Sequence, residues 1–226
     1  MDVIAGVVFI TLLAVGPVLC VRYRGRAGWR WFLLGIASWV MALAAKSAIQ
    51  LALEAMTTSA ALQGGLGGIV SALCELGAAA LFLRRRDLRG SDLIAFGVGI
   101  GAFEVLFVMV LGWTTESGPS SVVWWVTWIE FFVERSLAMI VHVASRVLVH
   151  VALRIRNILP ALIAVFTFAS VDGLASYGWA AGWNWEAAHV LVPVLGFIAI
   201  MGGLEAWAAW WFWRKTDLHW LPDESR

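Results

Sequence analysis

Seven long hydrophobic stretches, separated by short polar or charged segments, set the pattern of this chain. A helix needs about 20 mainly apolar residues to cross the roughly 30 Å hydrocarbon core of a bilayer. No segment of about ten residues alternates between apolar and polar positions, as barrel strands do. The pattern therefore predicts an all-α, polytopic membrane helix bundle with about seven transmembrane helices: Val3–Cys20, Trp31–Leu53, Leu66–Leu83, Leu93–Leu111, Phe131–Leu153, Leu159–Tyr177 and His189–Trp213.

Basic residues are concentrated in alternate connections between these stretches. The second, fourth and sixth connections hold none, whereas thirteen of the sixteen Lys and Arg residues lie in the first, third and fifth connections and the C-terminal tail. The positive-inside rule then predicts an N-terminus outside and a C-terminus in the cytoplasm. The start, Met1-Asp2, has no basic n-region, so we expect the first stretch to be a retained helix. Residues 1–226 are expected to form a single transmembrane domain of a multi-pass cell-membrane protein.

Composition agrees with this class. Hydrophobic residues make up 62% of the chain and charged residues only 14%, with a mean hydropathy of +0.85. A net charge of +1 with no basic, aromatic-interleaved stripe gives no reason to expect nucleic acid as a partner. Cys20 and Cys74 form no CxxC pair, which argues against a zinc knuckle or a disulfide framework. The lipid bilayer is therefore the first expected partner.

Tryptophan is the most unusual residue in this composition, with fifteen copies. Most of them lie near the ends of predicted spans, where indole rings anchor helices at the membrane interface. The segment Ser120–Trp128 is rich in Trp but too short to span a membrane. It is either an interfacial helix or an extension of the fifth span.

Ionisable residues inside the predicted spans are the candidates for function. Each costs on the order of 2.5–3.5 kcal/mol at the centre of a membrane helix on insertion scales, so it needs a reason to be there. Four of them, Lys46, Glu75, Glu104 and His142, fall near the middle of four different spans. This placement predicts that they converge on one cavity. The full set is Lys46, Glu75, Glu104, Glu134, Arg135, His142, Arg146, Asp172 and Glu205.

The fifth span carries the clearest polar pattern. Arg135, His142, Arg146 and His150 are offset by 7, 11 and 15 residues. At about 100° per residue these offsets place them on one stripe of a helix. Such a stripe is expected to face protein rather than lipid, with Glu134 and Ser145 beside it.

Two interpretations of these polar groups remain open. In the first, Lys46, Arg135 and Arg146 neutralise the intramembrane carboxylates, and the resulting ion-pair network fixes the helix register without any chemistry. In the second, the groups form a functional site, in which His142 is either a hydrogen-bonded core histidine or a metal ligand. The stretch Ala95–Glu104, which carries Gly97, Gly99 and Gly101, is expected to serve close helix packing rather than phosphate binding, because no strand precedes it.

Five stretches, in this order, resemble the YhfC family of predicted intramembrane proteases, which are distant relatives of the CAAX-type prenyl endopeptidases. Residues 16–46 resemble the first two helices of that family and the basic loop between them. The others are SALCELGAAALFLRRRD for its Glu-Glu-x-x-Arg helix, AFGVGIGAFE for its Gly-x-Gly-His-Gly-x-x-Glu helix, FFVERSLAMIVHVASRVLV for its Glu-Arg…His-x-x-Ser helix and FTFASVD for its terminal His-x-x-x-Asp helix.

The motifs are degenerate at four positions. Cys74 and Ala78 stand where the family has the first Glu and the Arg of its paired-carboxylate helix, and Ile100 and Phe168 replace two histidines. The resemblance implies a polar set of which Glu75, Glu104, Glu134, Arg135, His142, Ser145 and Asp172 are retained. If the four replacements fill the former active site, we expect a dry, packed core around Ile100, Phe168 and Cys74.

The family's chemistry is water activation by a Glu, with His side chains that bind a metal or stabilise an oxyanion. A catalytic zinc takes three protein ligands and an open position, and this chain supplies no convincing third ligand. No cofactor is therefore expected; zinc is the alternative, with His142 and Glu75 as its remaining candidates. If the chain is active, Glu75 is expected to act as base and His142 as oxyanion donor, with Glu104 beside them.

Three functions follow from these observations. The favoured one is a catalytically inactive relative of the protease fold that acts as a membrane binding, scaffold or assembly subunit, with a membrane-protein partner or as an oligomer. An active intramembrane peptidase with a reduced site is the second. A lipid- or quinone-contacting accessory subunit of a membrane complex is the third.

Overall fold

A computed structural model describes Val8 and residues 11–84, 88–114, 124–185 and 187–216. Helices account for 89% of these residues, and the described part of the chain contains no strand. A short π-helical turn, Thr11–Val15, leads into the first of seven α-helices. The helices are α1 (Gly16–Arg24), α2 (Trp29–Met56), α3 (Ala60–Leu83), α4 (Gly90–Thr114), α5 (Trp124–Ile155), α6 (Leu159–Ala180) and α7 (Ala188–Arg214).

Six of these helices, α2 to α7, are long and apolar enough to cross a membrane. The all-α fold is therefore confirmed for the described residues, and these six helices are consistent with a multi-pass membrane protein. The first predicted span, Val3–Cys20, lies partly outside the described residues, and its described part is the π-helical turn and the first turns of α1. Pro17 lies in the first turn of α1, where its missing N–H costs no helical hydrogen bond.

The helices extend beyond most of the predicted boundaries. The fifth predicted span, Phe131–Leu153, agrees with the candidate membrane span Glu130–Ile155, but α5 itself begins earlier, at Trp124. Of the segment Ser120–Trp128, residues 124–128 therefore belong to α5 and residues 120–123 lie outside the described chain. α3 likewise begins at Ala60 and not at Leu66. Hydropathy marks the hydrocarbon-spanning part of a helix, whereas backbone hydrogen bonding continues into the polar interface.

The basic connections meet at one end of the bundle, which we call the basic face. One pocket there brings Arg26 and Arg30 of the first connection beside Arg89 of the third. A second groove brings Ala80 near the end of α3 beside Arg156, which follows α5. The other end, where α2, α4 and α6 finish, is the opposite face.

Glycines set the helix spacing around α3, α4 and α6. A Cβ on Gly68 of α3 would lie 2.2 Å from the carbonyl oxygen of Ala169 on α6, so the two backbones are in direct contact. On α4, Gly97 faces Val143 of α5 and Gly99 faces Phe32 of α2 in the same way. This close packing places α4 inside the bundle and brings the polar groups of neighbouring helices within hydrogen-bonding distance.

Candidate functional site

A cavity of about 120 Å³ lies inside the bundle, and each of the helices α2 to α7 contributes to its wall. We call it the central cavity. The four side chains whose convergence the sequence predicted, Lys46, Glu75, Glu104 and His142, all line it. Its wall consists of Lys46, Glu75, Glu104, Glu134, Arg135, Ala138, Val141, His142, Phe168, Val171, Asp172, Ala175, Val194 and Ile198.

Glu75 on α3 is the most completely engaged carboxylate of the site. Its Oε1 accepts a hydrogen bond from Lys46 Nζ on α2 at 2.6 Å, and its Oε2 accepts one from Arg146 Nη2 on α5 at 3.0 Å. The Glu75 side chain is only 2% exposed. In this environment the two charge-assisted hydrogen bonds offset the cost of removing the carboxylate from water.

Ser71 connects Lys46, a cation that binds Glu75, to a second carboxylate, that of Asp172. Lys46 Nζ also donates to Ser71 Oγ at 3.2 Å, and the Ser71 hydroxyl donates in turn to Asp172 on α6. The sequence interpretation missed Ser71. A signal was present, since Ser71 lies four residues before Glu75 and therefore one helical turn away on the same face of α3.

Glu104 on α4 forms a second charged group with residues of α5. One of its oxygens accepts a hydrogen bond from Arg135 Nη1 at 2.9 Å, and the other contacts Nε2 of His142. Arg135 also binds the carboxylate of Glu134 through its Nε at 3.0 Å. The fifth-span residues Arg135 and His142 therefore face the cavity, as their shared stripe requires.

The stripe continues below the cavity into the core. Arg146 is fully buried; its Nη1 lies 2.7 Å from Ser145 Oγ and its guanidinium carbon lies 5.1 Å from the centre of the Phe168 ring. His150 is also buried, and its Nδ1 lies 3.1 Å from the carbonyl oxygen of Leu83. The two lower members of the stripe therefore act in packing and helix connection.

Exposure falls along the cavity from Glu134 to Glu75. The side chain of Glu134 is 37% exposed and that of Glu104 is 20% exposed, against 5% for His142. Glu134 lies in the half of α5 nearer the opposite face, and Arg146 lies in the half nearer the basic face. The central cavity is thus open toward the opposite face and closed by Arg146 and Phe168 toward the basic face.

The packed core expected around Ile100, Phe168 and Cys74 is only partly observed. Phe168 does line the cavity, and its ring centre lies 5.7 Å from that of His142. Ile100 is fully buried in the apolar core, and neither Ile100 nor Cys74 is part of the cavity wall. Cys74 precedes Glu75 directly, so its side chain points about 100° away around α3.

The buried polar atoms without a hydrogen-bond partner include one nitrogen of His142 and both carboxylate oxygens of Glu205. Nδ1 of His142 has no partner and lies 3.9 Å from Oε2 of Glu75. Glu205 on α7 is fully buried, and neither of its carboxylate oxygens has a hydrogen-bond partner, although Arg146 and Thr167 are its polar neighbours. Its span position marked Glu205 as a candidate, but the structure places it outside the cavity wall.

The charges around the cavity almost balance. Four carboxylates line it (Glu75, Glu104, Glu134 and Asp172), and three permanent cations contact them (Lys46, Arg135 and Arg146). The arrangement is therefore a nearly neutral network, as the ion-pair interpretation predicts for buried charges.

The contacts of Glu75 and Glu104 also decide whether these side chains are available to bind a zinc ion. Within the described residues, no group of three or more His, Cys, Asp and Glu side chains is arranged to hold a metal ion. Both oxygens of Glu75 are engaged by cations, and Glu104 is shared between Arg135 and His142. The donor set therefore does not fit a catalytic zinc, which needs three ligands directed at one point.

The described part of this site thus combines a polar cavity, a nearly balanced set of charges and one imidazole nitrogen without a partner. Comparison with known proteins adds no relative: no family model, no curated protein and no solved structure matches this chain.

Proposed function

We propose that this chain is a catalytically inactive, intramembrane-protease-like membrane protein that acts as a binding or assembly subunit. The observation that carries the proposal is the double engagement of Glu75 by Lys46 and Arg146. A general base must direct a lone pair at the water that it deprotonates. Glu75 keeps further lone pairs on both oxygens, but two cations already compensate the negative charge that a base uses to take a proton from water.

The network has a clear structural use in place of catalysis. Its hydrogen bonds and ion pairs join α2, α3, α4, α5 and α6 at similar depth. Breaking one partner of a buried pair typically costs about 3–5 kcal/mol, so the network disfavours any shift of one helix along another. A bundle held in one register presents a constant outer surface, which suits an assembly subunit.

Aromatic residues on α7 provide a surface for that role. Trp207 and Trp210 are more than half exposed, close to the basic face. Arg214 lies over the Trp210 ring at 4.9 Å, and Lys215 lies over the Trp211 ring at 3.7 Å. Trp and cationic side chains of this kind suit the membrane interface or a partner helix. In the proposed orientation the basic face is cytoplasmic and the N-terminus is outside.

A peptide-cleavage assay and a measurement of zinc content test whether the protein lacks catalytic activity. Full-length protein in lipid nanodiscs would be incubated with a fluorogenic prenylated peptide and with a transmembrane-helix peptide, beside Glu75→Gln and His142→Ala. We expect cleavage by the wild type to equal that of both variants, with less than stoichiometric zinc by elemental analysis. Cleavage that Glu75→Gln abolishes, or one zinc ion per chain, would overturn the proposal.

Native mass spectrometry of gently solubilised membranes tests the subunit role. We expect the chain to migrate with a second membrane protein or a second copy of itself, and the same assembly to form with His142→Ala. A monomer that carries only lipid would contradict the assembly function.

An active peptidase with a reduced site is the second candidate, because one observation favours it. Nδ1 of His142 has no hydrogen-bond partner, faces Glu75 Oε2 at 3.9 Å and belongs to the cavity wall. A water between these atoms would connect an acid and a base. The nanodisc assay separates the candidates, since this mechanism requires both Glu75→Gln and His142→Ala to lose cleavage.

A further inference from the structure

A second polar pocket, of about 330 Å³, lies at the basic face, remote from the central cavity. We call it the arginine pocket, and its wall includes Arg26, Gly28, Arg30, Trp31, Arg89 and Asp92. These residues come from the connection before α2, the first turn of α2, the connection before α4 and the first turn of α4. The pocket therefore lies where two long helices begin.

The beginnings of these helices contribute positive potential to the pocket. The first backbone N–H groups of a helix have no intrahelical acceptor and form the positive end of its dipole. Gly28 is the N-cap of α2 and supplies no side-chain cap, and its own N–H reaches Asp92 Oδ1 only at 3.5 Å. Arg89 directly precedes α4. Helix beginnings of this kind are well suited to anions.

Trp31 supplies an independent indication of a ligand. The residue is only 3% exposed, it belongs to the pocket wall, and its indole Nε1–H has no hydrogen-bond partner. The adjacent ring atom, Cδ1, would lie 3.8 Å from a Cβ placed on Gly28, which also belongs to the pocket wall. A buried N–H without an acceptor costs about 1–3 kcal/mol, which a bound acceptor would recover.

The charges of the pocket define the acceptor. The wall contains three arginines, Arg26, Arg30 and Arg89, and one carboxylate, Asp92, so cationic side chains outnumber anionic ones among its residues. The Arg30 guanidinium carbon lies over the Trp31 ring, 5.0 Å from its centre, so this cation packs on the face of the indole. A phosphate monoester carries a charge of about −1.5 to −2 at neutral pH and presents three acceptor oxygens.

We propose that the arginine pocket binds a phosphate monoester group, which a phosphatidic acid headgroup or a free phosphorylated compound would supply. Guanidinium groups, an indole N–H and helix N-terminal N–H groups are all donors that match phosphate oxygens. The pocket lies at the end of the bundle where Trp29 is half exposed, at the level where lipid headgroups are expected. The walls of the arginine pocket and of the central cavity have no residue in common.

Titration of full-length, delipidated protein in neutral detergent tests the proposal. One arm counts phosphatidic acid adducts by native mass spectrometry, with phosphatidylcholine as the comparator. The other arm measures the rise in melting temperature with inorganic phosphate against equal ionic strength of chloride. The variants are Arg89→Ala and Trp31→Phe, and Arg154→Ala is the matched control, because Arg154 is an exposed arginine of the same face outside the pocket.

We expect phosphatidic acid to bind more tightly than phosphatidylcholine, with a loss of about 10-fold in Arg89→Ala and about 3- to 10-fold in Trp31→Phe, and no change in Arg154→Ala. Stabilisation by inorganic phosphate, with the same sensitivity to the variants, would support the proposal with a free phosphorylated compound as the ligand. Equal binding of both lipids without phosphate stabilisation would overturn it, as would equal losses in Arg89→Ala and Arg154→Ala. Arg89 is exposed, so its variant remains informative if Trp31→Phe fails to fold.

Discussion

Nδ1 of His142 lies 3.9 Å from Oε2 of Glu75, and this same oxygen accepts a hydrogen bond from Arg146 at 3.0 Å. The imidazole therefore faces a carboxylate whose two oxygens already accept hydrogen bonds from Lys46 and Arg146. On its other side, His142 contacts Glu104, which also binds Arg135. The residue that most resembles a catalytic group thus lies between two carboxylates that are each held by an arginine, and the variants below measure what this arrangement contributes.

Glu75→Gln is expected to destabilise the protein much more than Asp172→Asn. The first variant removes the negative charge between Lys46 and Arg146, which costs about 3–5 kcal/mol for a buried pair. The second keeps a hydrogen-bond acceptor for the Ser71 hydroxyl and should cost about 1 kcal/mol. Thermal unfolding in one detergent, followed by tryptophan fluorescence, gives the comparison. Equal melting temperatures for the two variants would show that the negative charge of Glu75 is not needed to stabilise Lys46 and Arg146 in the folded protein.

Glu104→Leu is expected to lower the free energy of unfolding by about 3 kcal/mol, the lower end for a broken buried pair, because Arg135 keeps Glu134 as a partner. The matched control is Glu54→Leu, at an exposed carboxylate near the end of α2. Chemical denaturation in detergent measures both variants. If Glu104→Leu proves as stable as the wild type, the charged group around His142 does not hold α4 to α5.

Gly68→Ala is expected to destabilise the α3–α6 contact by about 1–3 kcal/mol, as overpacking of a tight interface does. Its Cβ would lie 2.2 Å from the Ala169 carbonyl oxygen and 2.7 Å from Gly173 Cα, and neither backbone atom can move aside easily. Gly65→Ala is the control on the same helix, since its Cβ would meet no atom within 4 Å. A drop in melting temperature in both variants alike would assign the effect to α3 itself rather than to its contact with α6.

Cysteine labelling tests the proposed orientation. In a background with Cys20 and Cys74 replaced by Ser and Ala, Arg89→Cys is expected to react with an impermeant maleimide only after the cytoplasmic side is opened. Ala181→Cys, at an exposed position on the opposite face, should react in intact cells. The reverse pattern would place the basic face outside and contradict the positive-inside argument.

Several properties of the protein were accessible from the sequence because each depends on one segment at a time. The length and hydropathy of a stretch decide whether it can cross a membrane, and six helices agree with that criterion. The spacing of Arg135 and His142 along α5 decides that they share a face, whichever helix lies opposite. The gathering of basic connections at one end follows in the same way from alternation along the chain.

The tertiary structure decided which polar groups meet. From the sequence alone, Lys46 could pair with Glu104 or Asp172. In the structure, the packing of α2 against α3 brings Glu75 and Ser71 within hydrogen-bonding distance of Lys46. Cys74 lies outside the cavity because α3 is turned to present Glu75. Hydrogen bonds act over about 3 Å, whereas the distance between two helices depends on every side chain packed between them. The register of the helices and the partners of each charge therefore emerged only from the packed bundle, while the helices themselves and the basic face were already determined by the sequence.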